Sequence, residues 1–570
     1  MKLILKIISE LNLRDKTNIL LSLLLIFISA LLEMFSLAIL LPYTNFLVFG
    51  NFENSQFENI QRIVEFVLDD NLNLLSFTIV IFLVFLFKNI FFGASIYKVI
   101  SSVVDIQQNI AQKLFLNYST KSLKFYKNTN TSSILRNLTL DLTNFTNGLS
   151  SFLSLITEIM FIISICLLLF IANFQVTLFL IVLFGVCSFL FYFFTNKKLK
   201  KIGRERVIFD AKKIKNINQT FNGIFDIRIN GSLIPFIDSF TQIVRKLRNL
   251  LGTYQFFLQT PKIYIEIVTV SSFLVLIIIF SIMENNNQVI GYLPLIGLYA
   301  ASAFKLMPSF NRMLVQFQNL NYSSEVFKNY FNFLKITKKV KKVDFNSKKF
   351  VNFYKLNIQN LHFKYGEKPL FSNLNYQFKK GYVYGISGKS GVGKSTLINL
   401  ILGLYQPYKG KISLDNKYEI KKLHSKWHQI LSYVPQKPFF FDETIFTNIT
   451  FSGFKDKEKL KKVNECLRFV NLNKKIKSLK NGLSTIIGEG GAKFSGGELQ
   501  RLSIARSLYK KCEIIILDEA TNSLDMKNQN IIMKNLKKLS HNKLIILVSH
   551  EKNILKKCDY IFDLSKIKKY

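Results

Sequence analysis

A short glycine-rich stretch in the second half of the chain has the residue types and spacing of a phosphate-binding loop. It reads Gly-Lys-Ser-Gly-Val-Gly-Lys-Ser-Thr and lies between an apolar run typical of a strand and another typical of a helix. Glycines at this spacing let backbone N–H groups and the start of the helix face an anion. We therefore predict that Lys394 reaches the phosphates of a nucleotide and that Ser395 places its hydroxyl on Mg²⁺. The predicted loop comprises Gly388, Lys389, Ser390, Gly391, Val392, Gly393, Lys394, Ser395 and Thr396.

Two adjacent carboxylates end a second apolar run, Ile514 to Leu517, which is typical of a buried strand. Asp518 at the strand end is predicted to hold Mg²⁺ through water. Glu519 beside it is predicted to act as the general base that polarises the attacking water. Many strands end in acidic residues, so this pair alone is a weak signal. It becomes a strong signal because it follows the phosphate-binding loop along the chain.

A further loop offers a second anion site. Ser495, Gly496 and Gly497 precede a predicted helix, and the backbone N–H groups at a helix N-terminus attract negative charge. One chain rarely needs two such sites for a single nucleotide. We therefore expect this loop to close over the nucleotide that another copy of the chain holds, which makes the predicted working unit a homodimer.

The overall composition indicates a membrane protein with basic parts in the cytoplasm. The chain has 570 residues, of which 49% are hydrophobic, with 56 Phe and a formal net charge of +40. Such a charge also suits nucleic-acid binding, but a soluble nucleic-acid-binding protein has no need of long apolar runs. We therefore expect no nucleic-acid partner. The five scattered cysteines show no metal-ligand spacing and are predicted to be free thiols.

Six apolar runs in the first half reach or approach the length of about 20 residues that a membrane-spanning helix needs. They fall near 18–48, 74–100, 147–171, 175–195, 261–283 and 288–310. The loops 49–73, 172–174 and 284–287 contain one basic residue, Arg62, whereas the other loops and the C-terminal half are rich in Lys and Arg. Because basic loops stay in the cytoplasm, both termini are predicted to be cytoplasmic.

Composition divides the chain into three parts. Residues 1–334 are predicted to form a transmembrane domain whose helices continue into the cytoplasm through the two long basic loops. A Lys-rich linker, 335–350, leads to a soluble α/β domain at 351–570. In the first part, apolar residues within 52–70 fall at helical spacing. This segment is either an amphipathic helix at the outer surface or a simple cap on its loop.

Four basic residues fall within or next to the predicted membrane helices: Lys88, Lys262, Lys305 and Arg312. Counting from the outer loops puts the three lysines at a similar depth on separate helices. One hypothesis is a ring facing a cavity, with Arg312 two turns further in, which would attract an anionic head group such as a pyrophosphate. This depth is close to the full hydrocarbon thickness, so snorkelling to the inner interface explains the lysines equally well.

The motifs of the second half together resemble those of the ATP-binding cassette (ABC) transporters, specifically the half-size exporters. The run Phe494 to Glu498 is similar to the family signature, with Phe and Glu in place of the usual Leu and Gln. The resemblance implies that Gln436 senses Mg²⁺, that Tyr365 stacks on adenine and that His550 contacts the γ-phosphate. It also implies a multi-domain membrane protein of the type I exporter fold, in which an all-α six-helix transmembrane domain precedes an α/β P-loop nucleotide-binding domain.

Two segments, Gln259–Glu266 and Lys305–Arg312, resemble the lipid-linked oligosaccharide flippases among the ABC exporters. That resemblance implies basic residues that line a cavity and meet the pyrophosphate of the substrate. The implied function is ATP-driven flipping of a polyprenyl-pyrophosphate-linked oligosaccharide across a bacterial inner membrane, with ATP and Mg²⁺ as cofactors. Export of another lipid, a peptide or a drug is the main alternative. Six spans argue against a membrane-anchored ATPase acting on nucleic acid, and the intact Glu519 argues against a channel gated by ATP.

Overall fold

The structure, a computed structural model, divides into two compact units near residue 340. It describes residues 2–40, 42–43, 74–121, 125–126, 129–172, 174–283, 289–337, 353–423, 425–453 and 455–566. The segment 52–70, for which an outer amphipathic helix is one of two hypotheses, lies outside the described residues, as does most of the Lys-rich linker at 335–350.

The first unit is built from long helices. They are α1 (Lys2–Ser9), α2 (Leu13–Ala38), α3 (Leu74–Ser119), α4 (Thr131–Leu138), α5 (Leu140–Ala172), α6 (Phe174–Asn222), α7 (Ile224–Ile229), α8 (Leu233–Met283), α9 (Val289–Tyr322) and α10 (Ser324–Thr337). Helices α3, α6 and α8 extend well beyond the apolar runs, as the lengths of the segments 101–146 and 196–260 predict. The described residues of the segments 101–146 and 196–260 are therefore mostly helical rather than loop.

Four helical stretches of the described residues are long and apolar enough to cross a membrane. They are Leu13–Ala38, Leu75–Ser119, Thr131–Ala172 and Phe174–Asn222. Large apolar side chains on these stretches point outward, for example Phe82 and Phe87 on α3, which are 64% and 60% exposed. A lipid environment makes such exposure favourable. The apolar runs near 261–283 and 288–310 lie on α8 and α9, and the count of six spans remains a prediction.

Small polar residues at seven-residue spacing form the contact between α2 and α3. Ser22, Ser29 and Ser36 on α2 are all buried, and so are Ser95 and Ser102 on α3. The Oγ atoms of Ser22 and Ser102 lie 3.1 Å apart. Because small side chains let helix backbones approach closely, this spacing brings the two helices together along their length.

The second unit contains two sheets. Its strands are β1 (Lys355–Tyr365), β2 (Lys368–Lys379), β3 (Val383–Ser387), β4 (Lys409–Leu414), β5 (Tyr418–Glu419), β6 (Leu431–Val434), β7 (Ile514–Asp518), β8 (Leu544–Val548) and β9 (Tyr560–Asp563). Strands β2, β1, β4 and β5 form an antiparallel sheet in that order. Strands β6, β7, β8, β3 and β9 form a parallel sheet in that order.

The parallel sheet is the centre of the second unit because its strands are apolar on both faces. All five residues of β7 and all five of β8 are buried, as expected for parallel strands covered by helices on both sides. The helices described in this unit are α11 (Lys394–Ile401), α12 (Ile420–Leu423), α13 (Ser425–Ile430), α14 (Ile445–Thr450), α15 (Lys457–Phe469), α16 (Asn473–Ser478), α17 (Gly496–Tyr509), α18 (Met526–Ser540) and α19 (Lys552–Leu555). All five cysteines are free thiols, as predicted.

Candidate functional site

The predicted nucleotide-site residues gather at one edge of the parallel sheet. Strands β6, β7, β8 and β3 are adjacent and parallel, so their carboxyl ends lie side by side. Gln436 follows β6, Asp518 ends β7, and Glu519 comes directly after it. His550 follows β8, and the phosphate-binding loop follows β3. Ligands of open α/β sheets bind at the carboxyl ends of strands. The fold therefore brings together groups that are widely separated in the sequence.

The backbone conformation of the phosphate-binding loop requires glycine at two positions. Gly388 and Gly393 have φ angles of +146° and +110°, which side chains rarely tolerate. A Cβ on Gly393 would lie 2.9 Å from the ring of Phe371, and one on Gly388 would lie 2.8 Å from Val392. Only glycine fits both positions, and the loop that results leads directly into the N-terminus of α11.

The ammonium group of Lys394 curls back over the same loop. Its Nζ donates hydrogen bonds to the carbonyl oxygens of Gly388 at 2.8 Å and Lys389 at 3.1 Å. Burial lowers the pKa of Lys394, and the negative charges of Glu519 and Asp518 oppose that shift. A buried cation beside a nest of backbone N–H groups is the environment that phosphate groups need.

Asp518 is held by a tyrosine from the neighbouring strand. The hydroxyl of Tyr433 on β6 donates a hydrogen bond of 3.1 Å to Asp518 Oδ2. Burial raises the pKa of Asp518 and the charge of Glu519 raises it further, whereas Tyr433 and Lys394 act to lower it. The hydrogen bond thus favours the ionised carboxylate, which is the form that binds a cation.

Three side chains hold the carboxylate of Glu519. Its Oε2 accepts hydrogen bonds from Gln436 Nε2 at 2.7 Å and from Asn522 Nδ2 at 3.0 Å. The Nε2 of His550 lies 3.3 Å from Oε1. The backbone of Glu519 has a φ of +50°, a strained value for a residue with a side chain. The contacts with Gln436 and His550 place the carboxylate between the residues that follow β6 and β8.

The residues at this edge suit ATP with Mg²⁺. The hydroxyl of Ser395, the amide oxygen of Gln436 and the carboxylate of Asp518 are oxygen ligands of the kind that Mg²⁺ prefers. Ser395 and Gln436 are exposed, so a nucleotide can reach them. Tyr365, at the end of β1, is 49% exposed. Its hydroxyl lies 3.3 Å from that of Thr396 on α11, which leaves part of the ring open for a base to stack.

The second predicted anion site lies at the N-terminus of the 14-residue helix α17. Ser495 and Glu498 form a capping box, in which each side chain accepts from the backbone N–H of the other residue. Lys475 forms an ion pair with Glu498. Burial acts to raise the pKa of Glu498, but Lys475 and the Ser495 backbone outweigh it and hold that pKa below the usual range. The departure from the usual Gln thus adds a charge pair to a normal helix cap.

The residues of this second site face outward. Ser495 and Gly496 are both exposed, so the helix N-terminus is open to another molecule. Gln500 of the same helix accepts a hydrogen bond of 3.0 Å from the backbone N–H of Ser523. Ser523 follows the Glu519 strand end by four residues along the chain. The signature loop is therefore linked to the segment that carries the predicted general base.

In the first unit, two of the four predicted intramembrane cations converge on one carboxylate. Lys88 Nζ on α3 and Lys305 Nζ on α9 each lie 2.9 Å from a different oxygen of Glu33 on α2. The Lys88 side chain is 3% exposed and that of Glu33 is 13% exposed. The ring of Phe85 lies beside both cations, with its centroid 4.5 Å from Lys88 Nζ and 5.8 Å from Lys305 Nζ. We call Glu33, Lys88 and Lys305 the charge triad.

The other two cations take different positions. Arg312 Nε lies 2.6 Å from Glu158 Oε1, and its Nη2 lies 3.1 Å from Glu158 Oε2, which makes a forked ion pair. The Arg312 side chain is still 49% exposed. Lys262 is exposed on α8 and forms no ion pair with the residues that the structure describes. The four cations therefore do not form one ring of equivalent groups, and two acids partly neutralise them.

Comparison with known proteins gives a family match for part of the chain and relatives for most of it. Residues 371–522 match the family model described as ABC transporter. The ATP-dependent lipid A-core flippase of Wigglesworthia glossinidia brevipalpis is 26% identical over 479 residues, 81% of this chain and 79% of that protein. The protein of the same name from Francisella tularensis subsp. holarctica (strain OSU18) is 27% identical over 463 residues, 77% of this chain and 72% of that protein.

A solved structure agrees in fold over the whole chain. The structure of a bacterial Atm1-family ABC exporter with ATP bound matches with a TM-score of 0.77 at 17% identity, covering 98% of this chain and 94% of that chain. The chain carries an ABC transporter domain and has the fold of an ABC half-exporter. The predicted type I exporter fold, with a helical membrane domain followed by an ABC nucleotide-binding domain, is confirmed. The exporter couples ATP hydrolysis to transport, and it resembles lipid flippases.

Sequence reasoning missed the two acids that pair with these cations. Glu33 and Glu158 each lie within an apolar run. A signal was available, because an acid in a membrane helix needs a partner just as a base does. Seven-residue spacing gives a second signal: Lys88 continues the buried positions Ser95 and Ser102 and so faces α2. Tyr433 and Asn522 of the exporter, which hold Asp518 and Glu519, gave no such signal.

Substitution of Tyr433 by Phe is expected to weaken Mg–ATP binding and to change its pH dependence. The variant loses the hydrogen bond that lowers the pKa of Asp518, so burial raises that pKa further. As pH falls, the carboxylate will then become protonated at a higher pH than in the wild type. We expect affinity to fall by about tenfold at neutral pH, in Mg–ATP titrations between about pH 5 and pH 8 that bracket the carboxylate and phosphate pKa values.

The matched control is Tyr408→Phe, which removes a hydroxyl from a tyrosine that is 57% exposed on the same unit. Its Mg–ATP titrations should overlay those of the wild type. If Tyr433→Phe also overlays the wild type at every pH, then Asp518 does not depend on this hydrogen bond for its charge.

Proposed function

We propose that two copies of this chain use ATP to flip an anionic amphipathic lipid outward across a bacterial inner membrane. The proposed cargo is a polyprenyl-pyrophosphate-linked oligosaccharide. The charge triad is the observation that carries this proposal. It places two ammonium groups against a single carboxylate among apolar helices, which leaves one positive charge without a partner in the triad.

An excess cation in a membrane domain is costly unless an anion can meet it. Lys305 is accessible, with 36% of its side chain exposed. Arg312 is half exposed beyond its pair with Glu158, and Lys262 is exposed. Phosphate groups bind lysine as a point charge and arginine through its fork. A pyrophosphate head group would therefore find cations at several points of the membrane unit.

The relatives support a lipid cargo. Two of them, quoted above, are named ATP-dependent lipid A-core flippases. Those names favour a second candidate for this chain, a lipid A-core cargo, which is also a large anionic lipid. Both candidates make the same demand of the membrane unit, which is a positively charged place for a phosphorylated head group.

The proposed engine is a homodimer with two composite ATP sites. Lys394, Ser395 and Asp518 of one copy would face Ser495 and Gly497 of the other. Glu519 would take the proton of the attacking water as the general base. The support is that the signature loop is exposed on α17 and that the Glu519 carboxylate is held in place at the edge of the sheet.

The remaining residues of the proposed ATP site lie at the same edge of the sheet or next to the phosphate-binding loop. The phosphate-binding loop and Tyr365 would hold ATP, His550 would contact the γ-phosphate, and Gln436 would complete the Mg²⁺ ligands with Ser395 and Asp518. When bound, Mg²⁺ supplies the positive charge that offsets the phosphate oxygens during hydrolysis. The proposed layout is a transmembrane domain of six spans at 1–334, a linker at 335–350 and a nucleotide-binding domain at 351–570, with both termini in the cytoplasm.

Neutralising the cations tests the cargo. Lys88→Gln, Lys262→Gln, Lys305→Gln and Arg312→Gln should each reduce flipping of a polyprenyl-pyrophosphate-linked oligosaccharide in proteoliposomes. We expect about tenfold losses for Lys305 and Arg312, whose side chains are accessible. Basal ATP hydrolysis should remain near the wild-type rate, because the substitutions leave the nucleotide residues intact.

Snorkelling makes the opposite prediction for these variants. If the four residues only reach the interface, then flipping will be unchanged in each single variant and in the combined one. That result would remove the reason for naming a pyrophosphate-bearing cargo, and it would leave the half-exporter itself unaffected.

A further inference from the structure

Glu33 has the position of an anion that is built into the proposed substrate site. Its two carboxylate oxygens are divided between two cations from two other helices, one at 2.9 Å from Lys88 and the other at 2.9 Å from Lys305. A phosphate group offers the same arrangement of two oxygens to two ammonium groups. The carboxylate of Glu33 thus stands where an oxygen pair of a bound head group would be expected.

The two lysines are not saturated by this carboxylate. Lys88 Nζ is buried and has no well-aligned hydrogen bond among the residues that the structure describes. It keeps donors that a further oxygen atom can use, since an ammonium group has three. Lys305 opens the triad to its surroundings, because 36% of its side chain is exposed. A ligand can therefore approach from the Lys305 side and reach toward Lys88.

The helices hold these groups in fixed positions. Lys88 lies on the buried stripe of α3 that includes Ser95 and Ser102. Lys305 lies between the buried residues Ser302 and Ser309 on α9. Small residues beside Lys88 let α3 pack closely against α2, which carries Glu33. Glu33 on α2 therefore lies within ion-pair distance of both lysines.

We propose that Glu33 is a specificity-determining residue that competes with the head group for Lys88 and Lys305. The inference rests on the proposed function, since it assigns a role within the same anion site. A carboxylate tethered beside two cations acts at a high effective concentration. A head group with a single negative charge gains little by replacing it. A head group with more negative charge, such as a pyrophosphate, gains more from the two cations and displaces the carboxylate.

Selection of this kind works by penalising the wrong ligand as well as by binding the right one. A phosphodiester that replaced Glu33 would exchange one negative charge for another at Lys88 and Lys305. It would also leave the carboxylate without its partners in a poorly solvated site, so the exchange gives little net attraction. Glu33 would thus exclude the abundant monoanionic lipids of a membrane while it still admits a pyrophosphate.

Two probes with the same hydrocarbon tail test this role. One is a polyprenyl pyrophosphate and the other is a polyprenyl phosphoryl-glucose, a phosphodiester with a single negative charge. The full-length exporter is placed in phosphatidylcholine nanodiscs, and the affinity for each probe is measured by direct binding and by stimulation of ATP hydrolysis. The wild type should prefer the pyrophosphate by about tenfold or more.

Glu33→Gln should bind both probes about tenfold more tightly than the wild type does, because neither has to displace a carboxylate. The phosphodiester would then bind the variant about as tightly as the pyrophosphate binds the wild type. The matched control is Glu266→Gln, which removes an exposed acid from α8 and should leave both affinities unchanged. If Glu33→Gln does not fold, Glu33→Asp keeps the charge but shortens the reach, and the phosphodiester affinity should rise by a smaller factor.

Two results would overturn the inference alone. One is a phosphodiester affinity that Glu33→Gln, or its Asp substitute, leaves at the wild-type value. The other is an equal loss of both probes in a folded variant, which would mean that Glu33 only positions the lysines. If the wild type binds neither probe, and the Lys88→Gln and Lys305→Gln variants behave as the wild type does, then the proposed cargo and this inference are both wrong.

Discussion

Glu519→Gln is expected to stop ATP turnover while ATP binding remains. The side chain keeps its size and can still contact Gln436, Asn522 and His550, but it can no longer accept a proton from water. General-base catalysis contributes about 10²- to 10⁴-fold to a reaction rate, so hydrolysis should fall by at least about 100-fold. Titration with labelled ATP measures nucleotide affinity separately. The affinity should stay within about threefold of the wild type, because the substitution leaves ground-state binding of ATP unaffected.

Asn522→Ala is the control for this result. It removes the hydrogen bond of 3.0 Å to Glu519 Oε2 but leaves the carboxylate and its other two contacts. We expect only a partial loss of turnover in this variant. Hydrolysis near the wild-type rate in purified Glu519→Gln would show that another group activates the water.

A pair of variants in separate chains should restore the activity that each lacks alone. In a homodimer of Lys394→Ala, neither composite site has its lysine. In a homodimer of Ser495→Arg, a large cation blocks both signature loops. Each homodimer should lose about 100-fold or more in hydrolysis, as is typical when a group that stabilises developing charge is removed. A mixed dimer has one site with neither change, and its hydrolysis should exceed that of both homodimers.

The control for the mixed dimer carries the same two substitutions in one chain. A chain with both Lys394→Ala and Ser495→Arg, paired with a wild-type chain, has one change in each site and so has no intact site. Dimers purified by two different affinity tags keep the number of substitutions equal in the two experiments. Equal activity of the two mixed dimers, or full hydrolysis by a monomer, would contradict composite sites.

Local sequence patterns indicate which residues form the candidate site of the nucleotide-binding half. The order of apolar runs, the glycine spacing and the acids after Leu517 are all local features, and a parallel sheet then brings strand ends together by geometry. The positions of Gln436, Glu519 and His550 next to one another follow from the strand order β6, β7, β8 and β3. Local patterns could not give the hydrogen bonds from Tyr433 and Asn522, which depend on side-chain directions at neighbouring strand ends.

The membrane half was less predictable because its chemistry depends on contacts between helices. The sequence places Lys88, Lys262 and Lys305 at similar depth, with Arg312 two turns further in. It does not show that Glu33 and Glu158 on other helices pair with three of these cations. Depth along a helix follows from counting residues, but the direction of a side chain around the helix depends on packing. The buried serines supply that direction for Lys88, since they repeat every seven residues on the same face.

The central claim is ATP-driven flipping of an anionic lipid, and transbilayer movement tests it most directly. Purified exporter in proteoliposomes is given a fluorescent polyprenyl-pyrophosphate-linked oligosaccharide, and its access to a membrane-impermeant reagent is followed over time. We expect movement that requires ATP and Mg²⁺ and that is lost in Glu519→Gln. Movement at the same rate with and without ATP, or none in the wild type while ATP is hydrolysed, would contradict it.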